Sequence, residues 1–276
     1  MVTEIRSPLA EVGAGIHLLY SAHGVEDDAG FADFHVRISR PGTLRRWLKR
    51  QVVFQFDSAL PFHPLPGDQG FPILEWGLNW CISTHYQRYL ILHCAVLEQH
   101  GLALLLHGPP GAGKSTLCAG LVSRGWRLLS DELALIDPAS GDITALARPI
   151  SLKNTSIGVI RDFAPGAQLS PTVHDTLKGS VAHMKPPDDS VRRVVEPARP
   201  RWIVFPRYQA GAPATLEHIG KGHAFMRLAD GTFNYDVHGR RGFELLGQVV
   251  QASDCYEFGY GSLEEASRLF AALAAA

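Results

Sequence analysis

Residues 108–115 read Gly-Pro-Pro-Gly-Ala-Gly-Lys-Ser, and Thr116 follows. The stretch satisfies G-x-x-x-x-G-K-[S/T] in full. Its flanks agree with it. The apolar run Leu102–Leu106 precedes it and reads as a strand, while Thr116–Arg124 reads as a helix stopped by Gly125. Glycines let such a backbone turn tightly enough for its N–H groups to converge on a phosphate chain. The helix N-terminus adds partial positive charge. On this reading Gly108, Gly111, Ala112, Gly113, Lys114, Ser115 and Thr116 bind a nucleotide. Lys114 bridges the β- and γ-phosphates, and the Ser115 hydroxyl goes to Mg²⁺.

Working outward, Leu128-Leu129-Ser130-Asp131-Glu132 reads as a strand ending in two acids, with Asp131 17 residues after Lys114. One helix and one turn separate them. The acids therefore fall at the carboxyl end of the next strand, and a parallel neighbour would bring them beside the phosphates. A carboxylate there holds Mg²⁺ or accepts a proton from an attacking hydroxyl. Asp131 and Glu132 are the candidate metal ligands with Ser115, and Asp131 is the candidate base. The plainer readings are a turn acid for Asp131 and a solvent-facing one for Glu132.

Upstream, His93 lies in the apolar run Leu90–Val96, one strand before the loop. It reads equally as a core histidine and as a third catalytic residue beside Lys114 and Asp131. Downstream, residues 163–200 are rich in proline and charge, and read as a long loop with one short element. Lys178, His183 and Lys185 in it are either solvated or part of a lid that carries positive charge to the γ-phosphate. Arg207 ends a buried-type strand, Trp202–Phe205, as a surface cap or an anion clamp. Trp76 and Trp80 share a helical face and read as core.

The chain has 276 residues, 46% hydrophobic, with 26 basic and 27 acidic side chains. That excludes disorder and argues against a free-standing basic module for nucleic acid. A charged fraction of 19% is low enough to leave a homo-oligomer open. The four cysteines, Cys81, Cys94, Cys118 and Cys255, form no C-x-x-C pair, as expected of small core thiols in a reducing cytoplasm. No apolar run is long enough to span a membrane, and Met1–Pro8 has no signal-type apolar region. Residues 13–60 alternate in short runs, among them residues 15–20 and 34–38, and read as β-rich. Residues 61–72 read as a loop, and 73–89 have helical spacing. Leu90–Leu97 and Leu102–Leu106 read as adjacent strands. Leu133–Ile136 and Ile143–Leu146 read as a hairpin. Ser262-Leu263-Glu264-Glu265 reads as a capping box opening the last helix. The expected division is a β-rich N-terminal extension with a helix over 1–87, and a nucleotide-binding domain over 88–276.

The stretch His93 to Ile136 resembles the HPr kinase/phosphorylase family. That family has a His, a glycine P-loop, an R-G-x-R-L segment and an acidic pair. Here they are His93, residues 108–115, Arg124-Gly125-Trp126-Arg127-Leu128 and Asp131-Glu132. The wider chain resembles the HPr-related kinase A branch through residues 75–80 (Glu-Trp-Gly-Leu-Asn-Trp), 148–154 (Arg-Pro-Ile-Ser-Leu-Lys-Asn), 205–208 (Phe-Pro-Arg-Tyr) and 233–235 (Phe-Asn-Tyr). The resemblance implies an α/β P-loop kinase core of the HPr kinase/PEP carboxykinase type. It implies ATP- and Mg²⁺-dependent phosphorylation of a protein or peptide hydroxyl, with Asp131 as base and His93 near it. There are departures. The parent family has Asp-Asp where this chain has Asp131-Glu132, and a metal-binding Glu where it has Lys153. A lysine cannot ligate Mg²⁺ at neutral pH, but it can offset phosphate charge. Reverse phosphorylase activity is not implied.

The sequence thus predicts an α/β ATP-dependent Ser/Thr kinase acting on a protein or peptide, cytoplasmic, with neither a nucleic-acid nor a membrane partner. Lys153, Lys178 and Arg207 are the candidate phosphate or substrate contacts. Two alternatives stay open: a small-molecule kinase on the same core, and a nucleotide-gated binding protein with little turnover.

Overall fold

The computed structural model describes residues 1–26, 30–42 and 50–276. In the N-terminal part, β1 (Thr3–Arg6) runs parallel to β2 (Phe34–Ser39). β2 pairs antiparallel with β3 (Gln51–Phe56), and β3 with β4 (Leu65–Pro66). Phe34, Val36 and Ile38 of β2 are buried, whereas His35 and Arg37 are exposed. One covered face is what such alternation predicts. Helices α1 (Ala10–Leu19) and α2 (Gly70–His85) share a core with that face. The same core takes in Ile91, Leu133 and Leu135.

Residues 15–20 depart from their strand reading: they lie mostly in α1, because Val12, Ile16 and Leu19 fall on one helical face. Helix α2 starts at Gly70 and ends at His85, earlier than the spacing predicts.

The apolar run at 90–97 divides. Leu90–Leu92 is β5 and Cys94–Gln99 is β6, in different sheets. The break falls at His93, whose N–H donates to the Gly231 carbonyl at 2.8 Å. Next come β7 (Leu102–His107), α3 (Lys114–Val122) and β8 (Arg127–Ser130). β9 (Ala134–Ile136) and β10 (Ile143–Thr144) pair antiparallel, as the hairpin reading predicts. β11 (Ile150–Lys153) and α4 (Thr155–Phe163) follow.

Residues 163–200 are more ordered than their prolines imply. They contain β12 (Val173–Thr176), β13 (Gly179–Met184) and α5 (Asp188–Arg192). Pro171 and the pair Pro186-Pro187 border the hairpin without interrupting its ladder, where proline is tolerated. The chain ends with β14 (Arg199–Tyr208), β15 (Thr215–His218), α6 (Lys221–Asp230), α7 (Tyr235–Ala252), β16 (Asp254–Tyr260) and α8 (Leu263–Ala275). The Ser262 hydroxyl accepts from the Glu265 N–H, capping α8.

Six strands form the central mixed sheet, in the order β15-β16-β14-β7-β6-β8. β7, β14 and β16 are mutually parallel, and β6 lies antiparallel between β7 and β8. This corrects the expected neighbour relation. β8 points the same way as β7 but sits one strand further out. Helices α3 and α8 share an apolar core with one face of the sheet, and α6 and α7 with the other.

One close approach sets the seat of α2. A Cβ on Gly77 would lie 2.0 Å from Cε2 of the fully buried Phe54 ring in β3. Overpacking of this kind costs about 1–3 kcal/mol. We expect Gly77→Ala to lower the urea unfolding midpoint accordingly. An unchanged midpoint would mean that α2 does not rest on β3 in this way.

Candidate functional site

The loop between β7 and α3 adopts the conformation its glycines allow. Gly111 and Gly113 have φ of +84° and +91°, a region that side chains disfavour. Gly113 also has no room for a side chain: a Cβ there would meet the Tyr260 hydroxyl at 2.3 Å. That hydroxyl donates to the Gly113 carbonyl at 3.0 Å. Lys114 opens α3 and is only 8% exposed. Its ammonium donates to the carbonyls of Gly108 (2.5 Å) and Pro109 (3.1 Å). Burial lowers its pKa, while nearby Cys94, Asp131 and Glu132 act in the opposite direction.

Asp131, just past β8, is buried. Its Oδ2 accepts from the Ser151 N–H at 3.0 Å, and its Oδ1 has no hydrogen-bond partner. Burial, then the neighbouring Glu132, push its pKa up to about 7; the Ser151 amide, Lys153 and the Ser115 hydroxyl pull it down. The Ser115 hydroxyl is thus close enough to act on Asp131, although β6 stands between β7 and β8. A carboxyl poised near neutrality can hold or release a proton under physiological conditions.

Glu132 behaves differently. Its Oε1 pairs with the Lys153 ammonium at 3.7 Å, and its Oε2 accepts from Asn79 at 3.3 Å. Burial would raise its pKa, but Lys153, Lys178, His93 and Arg148 outweigh that and hold it below the ordinary carboxylate range. Both oxygens are therefore engaged. Lys178 sits at the β12–β13 turn with its ammonium 5.0 Å from the centre of the Trp76 ring. Trp76 is accordingly half-buried rather than plain core.

His93 is lowered in pKa by burial and by Lys114, with Lys153 and Lys178 adding and Glu132 opposing. It therefore belongs to the same charged cluster. Its ring lies 5.9 Å from that of Phe233. Arg207 is exposed and pairs with Glu257 at 3.6 Å, which also pairs with Arg227. Lys185 pairs with Asp188 at 2.8 Å. His183, expected in a mobile loop, is instead buried within β13 and lowered to about 4 by burial.

Several site residues went unread in the sequence. Ser151 holds Asp131, and His183 is its cross-strand partner. Trp76, Asp131, Ser151 and His183 line one cavity of about 20 Å³. Each contributes a buried polar atom with no hydrogen-bond partner: Trp76 Nε1, Asp131 Oδ1, Ser151 Oγ and His183 Nε2. Such a cavity is polar and large enough for one water. Behind it, Arg148 donates to Glu75 Oε2 (2.6 Å) and Asn79 Oδ1 (2.7 Å), while Tyr20 donates to Glu75 Oε1 (2.6 Å). Glu75, Asn79 and Arg148 fall in segments that carry the family resemblance, which was the available signal.

Among the described residues there is no cluster of three or more His, Cys, Asp or Glu that could hold a metal by itself. Nor is any helix among them long and apolar enough to cross a membrane. No family model and no curated protein matches the chain. Among solved structures it is similar to the HPr(Ser) kinase/phosphatase from Coxiella burnetii, at 11% identity and a TM-score of 0.26, over 66% of this chain and 96% of that one. A likeness this loose carries no argument, so the reading of the site rests on this chain's own geometry.

Asp131 has a stability signature. Its folded pKa of about 7 lies above the ordinary 3.8, so between those pH values the folded chain keeps a proton that the unfolded chain has lost. Stability at this group therefore falls as pH rises through that window. Asp131→Asn, which keeps an acceptor for Ser151, is expected to stabilise the chain at pH 8 by about 2–4 kcal/mol. The advantage should vanish near pH 4. A variant less stable than wild type at pH 8 would show that the buried carboxylate is well compensated.

Proposed function

We propose that the chain is a Mg²⁺- and ATP-dependent kinase that transfers the γ-phosphate to a Ser or Thr hydroxyl of a protein or short peptide. Its core would be of the P-loop, HPr kinase/PEP carboxykinase type, covering residues 88–276 behind a β-rich N-terminal extension. One arrangement carries the reading: the buried Asp131 carboxyl, with one oxygen unpartnered, stands near Ser115 where the glycine loop opens into α3.

In the proposed reaction the acceptor oxygen forms a bond to the γ-phosphorus as the bond from that phosphorus to the β–γ bridging oxygen breaks. ADP leaves with the electron pair, and the hydroxyl proton passes to Asp131. The backbone N–H groups of Gly108 and Gly111–Thr116, with the Lys114 ammonium, hold the phosphates. Lys114 would exchange its bonds to the Gly108 and Pro109 carbonyls for phosphate oxygens. Mg²⁺ is usually held by one or two protein oxygens, with phosphates and waters completing its shell. The Ser115 hydroxyl would fit that role, with the neighbouring Asp131 carboxylate as the second protein oxygen. Glu132 is already paired with Lys153 and Asn79, so a metal there would have to displace the Lys153 ammonium. When bound, the ion offsets charge on the β- and γ-phosphates. Lys153 and Lys178, gathered around Glu132, would supply further positive charge near the departing phosphoryl group. His93, held towards its neutral form, would act as a hydrogen-bonding neighbour rather than a cation. Arg207 would lie at the rim.

A groove of about 1120 Å³ between the N-terminal part and the β12–β13 hairpin has room for an extended peptide segment. Leu18, Phe71, Gln69 and Asp175 line it, and His183 lines both this groove and the small cavity at Asp131.

The test is calorimetric titration of ATP with and without Mg²⁺, following the γ-phosphate in the same samples as hydrolysis and as transfer to Ser/Thr peptides. Lys114→Ala should weaken ATP binding at least about tenfold. Asp131→Asn should leave binding within a few-fold and cut phosphate turnover by about a hundredfold or more. Wild-type binding with little metal dependence and no turnover would instead support a nucleotide-gated binding protein.

A further inference from the structure

The charged groups lie on one flank of the loop. Strand order places β8, with Asp131 and Glu132 at its end, on one side of β7, and β14 and β16 on the other. The carboxyl ends of β14 and β16 bring two tyrosines to that second flank. Tyr208 and Tyr260 are register partners, so their side chains share a face. Tyr260 is buried and anchored to the Gly113 carbonyl. Tyr208 is 51% exposed, and its Cβ lies 3.2 Å from where a Gly113 Cβ would stand. The two rings meet edge-on, with centroids 5.4 Å apart and planes at 66°. One aromatic ring is therefore backed by the loop, braced by a buried partner, and open to solvent elsewhere.

We propose that Tyr208 is the platform on which the base of a nucleoside 5′-triphosphate stacks. The inference rests on the phosphate-loop reading above and adds the missing end of the ligand. A nucleotide has its γ-phosphate at one end and its base at the other. With the γ-phosphate facing Asp131 on the β8 flank, the α-phosphate and ribose must leave over the β14–β16 flank, where Tyr208 stands. Stacking on an aromatic face is tolerant of base identity, because every base has a π-face. It therefore needs no base-reading hydrogen-bond motif, and the sequence shows none. The neighbouring Arg207 is directed to Glu257.

The test compares ATP, GTP and inorganic tripolyphosphate, each with Mg²⁺, on the full chain. Tyr208→Ala keeps the Cβ beside Gly113, so the backing of the loop survives, and a thermal melt checks the fold. The variant should bind ATP and GTP about tenfold more weakly and tripolyphosphate within twofold of wild type. Tyr208→Trp should restore ATP affinity. Equal weakening of ATP and tripolyphosphate would overturn the proposal, reducing Tyr208 to a support for the loop. Unchanged ATP affinity would overturn it as well. Failure of the wild type to bind any of the three, ATP, GTP or tripolyphosphate, would sink the phosphate-loop reading itself, and this inference with it.

Discussion

The Ser151 N–H donates to Asp131 Oδ2 at 3.0 Å, and both residues are buried. This bond joins the end of β8, an edge strand of the six-stranded sheet, to β11 in a separate three-stranded sheet. Ser151 faces His183 across the β11–β13 ladder, so the hairpin that carries Lys178 is delivered to the same place. On the other side, α3 and the glycine loop are fixed against the sheet by Tyr260. The loop, the acids and the lysines meet because that carboxyl is held. Its confinement is costly: burial and Glu132 push the pKa to about 7. A buried carboxyl left so near its own midpoint, with one oxygen unpartnered, lowers stability at neutral pH.

A second layer connects the N-terminal part to the acids. Arg148 lies three residues before Ser151 and is paired with Glu75 of α2. Asn79, one turn further along the same helix, accepts from Arg148 and donates to Glu132. Tyr20, just past α1, closes the set through Glu75. Removing one partner from a buried ion pair costs about 3–5 kcal/mol, because the other charge stays buried alone. The orientation of Glu132, and through it Lys153, therefore depends on residues before position 87. The N-terminal part is coupled to the site by side chains as well as by a shared apolar core.

The glycine loop was legible because its pattern is contiguous and its flanks are local. Asp131 was legible because its distance from Lys114 leaves room for only one helix and one turn. What lies between them in space was not. The interposed β6 depends on strand order, which local spacing does not encode. The break at His93 depends on the Gly231 carbonyl, and the loop's support comes from Tyr260, 147 residues from Gly113. The β12–β13 hairpin was hidden by prolines that turn out to border it. In α1, two glycines interrupt the apolar pattern, so the helical face was missed while a shorter alternation stood out. Arg148 and Glu75 could be noticed one by one, but their pairing spans 73 residues.

The proposed ligand has a direction: a nucleoside triphosphate would lie along the Gly108–Ser115 loop with its γ-phosphate at Asp131. A crystal structure with Mg²⁺ and a non-hydrolysable ATP analogue tests it most directly. The γ-phosphorus should lie between Lys114 and Asp131, with the base on the β14–β16 flank. Phosphates bound away from the glycine loop, or a γ-phosphate on the Tyr208 flank with the base over the acids, would contradict it.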